Sequence, residues 1–323
     1  MLPSKLWITL SLSASDTDSF SNDIYVADAI EDFHAKCLRN RGFMSDILNT
    51  IAQYTRERVA RAKAAVSTET LRQRALAMNC ATGFPFEETL AQDGIRFICE
   101  CKKASPSKGL IAEDFPYVQI AKEYEDAGAA CISVLTEPKW FLGQDSYLQE
   151  ITQAVSIPCI RKDFTIDEYM IYEAKLLGAS AVLLICALLD TDTLRRYLSL
   201  SDELGLSALV EAHDEAEIAS ALSAGARIIG INNRNLKNFT VDIGNSGKLR
   251  SLVPPEVLFV AESGIKTRAD VAALEQAHVD AILIGETLMR APDKKRMLRE
   301  LQGSADTGST CTEYARRNEA ENE

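Results

Sequence analysis

From Ile95 to Ile284 the chain alternates short, nearly uninterrupted apolar runs with longer stretches whose apolar residues recur every three or four positions. The first pattern belongs to strands covered on both faces and the second to amphipathic helices. Their regular succession predicts βα units around a parallel sheet. Eight strands are expected, at 95–101, 131–135, 157–161, 181–185, 208–211, 228–231, 258–261 and 281–284. Between them, 117–126 gathers Ile120, Ala121 and Tyr124 on one helical face, and 166–177 does the same with Ile171, Ala174 and Leu177. Gly128-Ala129, Gly178-Ala179 and Gly225-Ala226 each close a helix before a strand, Gly supplying the left-handed residue after the last turn. Eight strands over roughly 200 residues fit an α/β fold of the (β/α)8 TIM-barrel type. A doubly wound open sheet is the alternative, but it would place a Gly-rich phosphate loop after its first strand, and no GxGxxG or Walker-type loop occurs.

The barrel is expected to span 44–302 and to carry an N-terminal helical extension. Within it, 47–65 reads as an amphipathic helix that Asp46 could cap, placed either as a plug under the barrel or as a lid over its catalytic face. Residues 1–43 are expected to be a dispensable extension or a start-site artefact, since the cleaner amphipathic pattern opens at Met44. Residues 303–323 are polar and read as a disordered tail.

Charge and cysteine usage narrow the function classes. The formal net charge is −12, which argues against nucleic acid as a partner, because phosphate-backbone binding needs a basic face. Of the eight cysteines, Cys99, Cys101, Cys131, Cys159 and Cys186 fall inside apolar runs and read as small buried hydrophobes. Their spacing does not suit zinc, and only His34, His213 and His278 could add imidazole, so no metal is expected. Numerous free thiols fit a reducing cytoplasm. No apolar stretch reaches the roughly 20 residues of a membrane span, and the N-terminal run after Lys5 is too short and too broken for an export signal.

Candidate chemistry collects at the carboxyl ends of the strands, where barrels of this class build their active sites. Strand residues alternate between faces, so Glu100 and Lys102 share one face while Cys99 and Cys101 take the other. Other strand ends carry Arg161-Lys162-Asp163-Phe164, Glu211, Asn232 with Arg234, and Glu262-Ser263-Gly264. Each alone is readable as a solvated loop charge. Together they make an array of lysines and carboxylates suited to general acid–base work. Gly264 and Gly285, in the loops after the last two strands, would let backbone N–H groups approach a phosphate. His213 and His278 read as surface or capping residues.

These residues sit in ordered motifs: Glu100-Cys-Lys102-Lys-Ala-Ser105-Pro-Ser-Lys-Gly109, Leu135-Thr-Glu-Pro-Lys-Trp-Phe141-Leu-Gly143, Arg161-Lys162-Asp163-Phe164, Leu209-Val-Glu211-Ala-His213, Gly230-Ile-Asn232-Asn-Arg234-Asn-Leu236, Ala261-Glu262-Ser263-Gly264-Ile265 and Leu283-Ile-Gly285-Glu-Thr-Leu-Met289. In that order, from about Met44 to about Leu301, the chain resembles the indole-3-glycerol-phosphate synthases of tryptophan biosynthesis. The resemblance implies a carboxy-lyase that converts 1-(2-carboxyphenylamino)-1-deoxyribulose 5-phosphate to indole-3-glycerol phosphate, carbon dioxide and water without a cofactor. It implies Lys162 as general acid, Glu211 for proton transfer in dehydration, Lys102 as carboxylate binder or second acid, and Glu100 and Asn232 as orienting groups. Arg234 would add positive charge at the mouth. Ser105, Ser263, Gly264 and Gly285 would contact substrate and phosphate, and Phe141, Phe164 and Leu236 would form a slot for the ring. The expected partner is a small phosphorylated aromatic substrate, with no nucleic acid and no membrane, and the expected assembly a monomer or weak homodimer.

Two positions depart from the family pattern. Ala104 stands where some members carry a basic residue, which removes a substrate contact. Glu286 stands where some carry Ser, so the phosphate would rely on backbone N–H groups with the Glu side chain turned away. Two other functions fit parts of the pattern. Another phosphate-binding barrel enzyme of tryptophan or histidine biosynthesis would share the last two loops but would not need the Lys–Glu array. A catalytically silent scaffold would need neither.

Overall fold

The computed structural model describes residues 47–235 and 239–304. The extension 1–43, the Asp46 cap, Leu236 and most of the 303–323 tail lie outside the described residues. Three helices come first, α1 (Ile47–Ala65), α2 (Thr68–Leu76) and α3 (Pro85–Leu90). Eight strands then follow: β1 (Arg96–Cys101), β2 (Cys131–Leu135), β3 (Cys159–Lys162), β4 (Ala181–Ile185), β5 (Ser207–Ala212), β6 (Ile228–Asn232), β7 (Leu258–Glu262) and β8 (Ala281–Ile284). All pair in parallel, and β1 hydrogen-bonds to both β2 and β8, which closes the barrel and excludes the open sheet. The intervening helices are α4 (Tyr117–Asp126), α5 (Asp145–Ala154), α6 (Glu168–Leu176), α7 (Thr191–Glu203), α8 (Glu215–Ala224), α9 (Gly244–Leu249) and α10 (Arg268–Gln276), with α11 (Glu286–Arg290) and α12 (Lys294–Gln302) after β8.

Two boundaries differ from expectation for local reasons. The third strand starts at Cys159 because Pro158 has no N–H to give the ladder. The helix expected from 166 starts at Glu168 because Asp167 caps it, its carboxylate accepting from Tyr169 N. Gly128, Gly178 and Gly225 all take positive φ, as their place after a helix requires.

The period-two alternation of the strands sorts their side chains into two cores. Phe97, Cys99, Cys101, Cys159, Val210, Ile229, Phe259 and Ile282 point outward and pack under the helices. Ile98, Cys131, Ile160, Leu183, Leu209, Ile228, Val260 and Leu283 fill the barrel interior. One cysteine departs from the strand reading, since Cys186 opens a short 3-10 turn after β4 and is half-buried.

The ends of the interior are covered differently. Below, Phe86 and Leu90 of α3 are buried in the inner core, and Glu87 pairs with Arg227 just before β6 at 2.9 Å. Above, α1 places Ile47, Leu48 and Ile51 over the cleft at the strands' carboxyl ends. It is fastened there by Tyr54 edge-on to Trp140 at 5.5 Å, Arg58 to Asp163 at 2.7 Å and Lys63 to Asp167 at 2.7 Å. The plug is therefore α3, and α1 is the cover.

Candidate active site

The inner faces of β1, β3, β5, β6 and β7 turn polar in or just past their last residues, so the floor of the cleft is apolar and its lower wall is charged. Glu100 follows Ile98 on the inner face of β1, and Lys102 continues that face, its Nζ donating to Glu100 Oε1 at 2.5 Å. Ser133 on β2, directly opposite in the ladder, donates to Glu100 Oε2 at 3.3 Å. Across the barrel, Lys162 at the end of β3 reaches Glu262 Oε2 at 3.0 Å and Glu211 Oε2 at 3.5 Å. Asn232 donates through Nδ2 to Glu211 Oε1 at 3.3 Å, and its own Oδ1 accepts from the Arg234 backbone N at 3.0 Å.

Two glycines make this density of charge sterically possible. A Cβ at Gly230 would collide with Glu262 Oε1, and one at Gly285 would fall 2.6 Å from Glu100 Oε1 and 3.1 Å from Lys102 Nζ. At the β7 end, Ser263 and Gly264 both take positive φ, 68° and 89°. Gly264 also lies so close to Val241 and Ile243 that a side chain would not fit.

Burial and neighbours set the protonation states. Burial alone would lift Glu100, but Lys102 and Lys162 outweigh it and hold the carboxyl below its usual range. Burial would also strip the proton from Lys162, yet Glu262, Glu211 and Glu100 together keep it charged. Glu262 is pushed up to about 7 by burial, with Glu211 adding to the push against the pull of Lys162. Its Oε1 is buried without a hydrogen-bond partner among the described residues. The cleft thus holds an amine kept in its charged form beside a carboxyl that can exchange its proton near neutrality.

The upper wall is apolar. Phe141 and Phe164 face each other with ring centroids 5.9 Å apart, and α1, Leu183 and Ile185 extend that surface. Ser105 lies in a two-residue strand pair, Ala104–Ser105 against Gly109–Leu110, in the loop after β1. Ala104 is fully buried. The whole cleft measures about 1760 Å³. It is lined by Glu100, Lys102, Ser105, Phe141, Lys162, Phe164, Glu211, Asn232, Arg234, Ser263, Gly264 and Gly285, every expected site residue except Leu236, which lies outside the described residues.

Four findings amend the expectations. Arg161 does not join the cleft; it points outward from β3 to Asp145, Glu173 and the Met170 carbonyl. Glu262, which the motifs place at a strand end without a role, is the closer of the two carboxylates paired with Lys162; its inner-face parity with Val260 is the signal that could have found it. His213 is more than a cap. Its Nδ1 lies 3.0 Å from Glu217 Oε2 and its Nε2 3.5 Å from Glu211 Oε1, a placement that β5 continuing to Ala212 brings about. Finally, Glu286 is not turned away from the cleft but pairs across its mouth with Lys108 and Arg234. Among the described residues no group of three or more His, Cys, Asp and Glu is placed to hold a metal ion, and no helix is long and apolar enough to cross a membrane.

Comparison with known proteins bears on this geometry. The family model described as indole-3-glycerol phosphate synthase matches residues 48–301. A protein of that name from Ruminiclostridium cellulolyticum is 57% identical over 259 residues, covering 80% of this chain and 100% of its own. Those from Lachnoclostridium phytofermentans and Endomicrobium trichonymphae are 51% and 54% identical, over 79% of this chain in each case and 98% and 99% of theirs. Among solved structures, a 3-hexulose-6-phosphate synthase from Salmonella typhimurium superposes with a TM-score of 0.55 at 14% identity, covering 65% of this chain and 98% of that one, a likeness of fold alone.

Proposed function

We propose how the cleft works from one premise: the chain belongs to the indole-3-glycerol phosphate synthase family. It is a carboxy-lyase of tryptophan biosynthesis that closes the indole ring of 1-(2-carboxyphenylamino)-1-deoxyribulose 5-phosphate, with loss of carbon dioxide and water. The roles of individual residues are our assignment. The observation that carries it is Lys162, protonated and flanked by Glu262 at 3.0 Å and Glu211 at 3.5 Å, opposite the aromatic pair Phe141 and Phe164.

The aryl ring occupies the slot beside Phe141 and Phe164, which holds its carboxyl-bearing carbon close to the sugar carbonyl and removes much of the entropic part of the barrier. As that carbon attacks, Lys162 gives a proton to the carbonyl oxygen, so the developing alkoxide is neutralised where it forms. The new carbon–carbon bond leaves the ring cationic at nitrogen, and breaking the bond to the carboxylate returns its electron pair to the ring as carbon dioxide departs. Dehydration then needs a proton for the departing hydroxyl, supplied by Lys102, and a base for the adjacent CH₂, supplied by Glu211. Overall one proton is consumed, matching the carboxylate charge lost as carbon dioxide. Glu100 and Ser133 hold Lys102, and Asn232 holds Glu211. Ser105, Ser263, Gly264, Gly285 and Arg234 receive the sugar phosphate, and Leu236 extends the slot. The unit that does this is 44–302, with 1–43 a dispensable extension.

The test is a steady-state assay with this substrate, read by product fluorescence. Wild-type protein should turn over, and Lys162→Ala should lower kcat at least about a hundredfold, the loss expected of a general acid. Near wild-type turnover in Lys162→Ala would overturn the assignment.

A further inference from the structure

Glu286 opens α11 directly after Gly285, and its carboxylate gathers cations from separate parts of the chain. Oε1 lies 3.4 Å from Lys108 Nζ, in the loop after β1, and 3.5 Å from Arg290 Nε on the same helix. Oε2 lies 3.6 Å from Arg234 Nη2, beyond β6. Lys108 and Arg234 reach the mouth from different loops and meet on this carboxylate. Both line the cleft together with Gly264 and Gly285, where a phosphate is to be received. In a chain of net charge −12, these two are among the cations by which the cleft can attract an anion, and a carboxylate of the chain itself is already on them.

We propose that Glu286 is an internal counter-ion that competes with the substrate's phosphate for Lys108 and Arg234. This rests on the proposal that a sugar phosphate binds here. In the empty cleft the carboxylate holds the two cations in its place. An arriving phosphate, with more charge and three terminal oxygens, takes Lys108 and Arg234, and Glu286 keeps Arg290 on its own helix. The exchange keeps the mouth neutralised in both states and weakens ground-state binding of every phosphate-bearing species, product included. A binding-competent mouth is then only a fraction of the empty population, and apparent affinity is reduced by that fraction. The ion pairs are partly exposed, with side-chain exposures of 27% for Glu286, 45% for Lys108 and 18% for Arg234, so the reduction is moderate, roughly fivefold.

The experiment uses the full chain and inorganic phosphate as probe. Calorimetric titration should show phosphate binding roughly fivefold tighter to Glu286→Gln than to wild type, with KM for the carboxyphenylamino substrate falling by a similar factor. A double-mutant cycle with Lys108→Met separates competition from a general loosening of the loop: the gain from Glu286→Gln should shrink when Lys108 is absent. Unchanged or weaker phosphate binding in Glu286→Gln, with the fold intact by thermal unfolding, would overturn the proposal and mark Glu286 as a support for Arg234. A gain that persists in full without Lys108 would overturn it equally. If wild type fails to turn over the substrate, the functional reading fails by itself, and the phosphate titration still decides what Glu286 does.

Discussion

Arg161 and Lys162 are neighbours in sequence, one buried and the other largely so, both surrounded by carboxylates, yet they lie on opposite sides of the barrel wall. Outside, the guanidinium is held along its edges: 2.7 Å to Asp145, 3.2 Å to Glu173, 2.9 Å to the Met170 carbonyl and 3.2 Å to Thr136 Oγ1. Inside, the ammonium of Lys162 has Glu262 and Glu211 beside it and lines an open cleft. A planar fork whose donors are met by fixed partners ties β3 to α5 and α6. A compact ammonium with three donors and two carboxylate neighbours has a proton to offer a ligand. Charge on the outer face therefore holds the barrel together, and charge on the inner face is left facing the cleft, where our assignment gives it the chemistry.

The widest test of that division is Arg161→Met. Removing one partner of a buried charge network should cost about 3–5 kcal/mol in urea unfolding, because Asp145 and Glu173 lose their cation and Asp163 is left with Arg58 alone. Full stability with lost turnover would reverse the roles. Lys162→Ala should show the opposite profile. Its hundredfold loss in kcat, about 2.7 kcal/mol of transition-state stabilisation, should come with a smaller change in unfolding free energy than Arg161→Met gives.

Glu262→Gln probes the inner face through pH. The folded value of Glu262, about 7, lies above its ordinary 4.5, so the folded state binds the extra proton between these limits. Its contribution to stability is fully present below about 4.5 and is lost as pH rises through about 7. Wild type should thus lose stability relative to Glu262→Gln across that window, measured as the difference between their unfolding free energies at a series of pH values. Parallel curves would place the titration elsewhere.

The smallest effect is expected at His213, whose ring bridges Glu217 and Glu211. Burial opposes its charge, but the hydrogen bond to Glu217 and the nearby Glu211 raise its value above 6.5. The stabilisation is present below 6.5 and fades as pH rises through the raised value, so His213→Asn should cost about 1 kcal/mol at low pH and progressively less above it. An equal cost at all pH values would show that the ring acts by packing alone.

Much of this was legible along the chain. Continuous apolar runs gave the eight strands to within two residues at either end, since a strand covered on both faces has no other composition open to it. Period-two alternation placed Glu100 and Lys102 on one face and Cys99 and Cys101 on the other, and the two cores confirm that parity. The same rule read from Val260 would have singled out Glu262. It could not have shown that Glu262, rather than Glu211, lies closer to Lys162.

Residue order alone settled the relations between near neighbours: strand, helix, and inward or outward face. The choice of α1 as cover and α3 as plug, the pairing of Lys162 with Glu262, and the meeting of Lys108, Arg234 and Glu286 join segments as much as 178 positions apart, and these came only with the folded chain. Local sterics and hydrogen bonding repeat with a short period and leave their mark on residue order. Distances between charges on different strands depend on how the sheet closes, and the electrostatics that distinguish an acid from a counter-ion follow those distances.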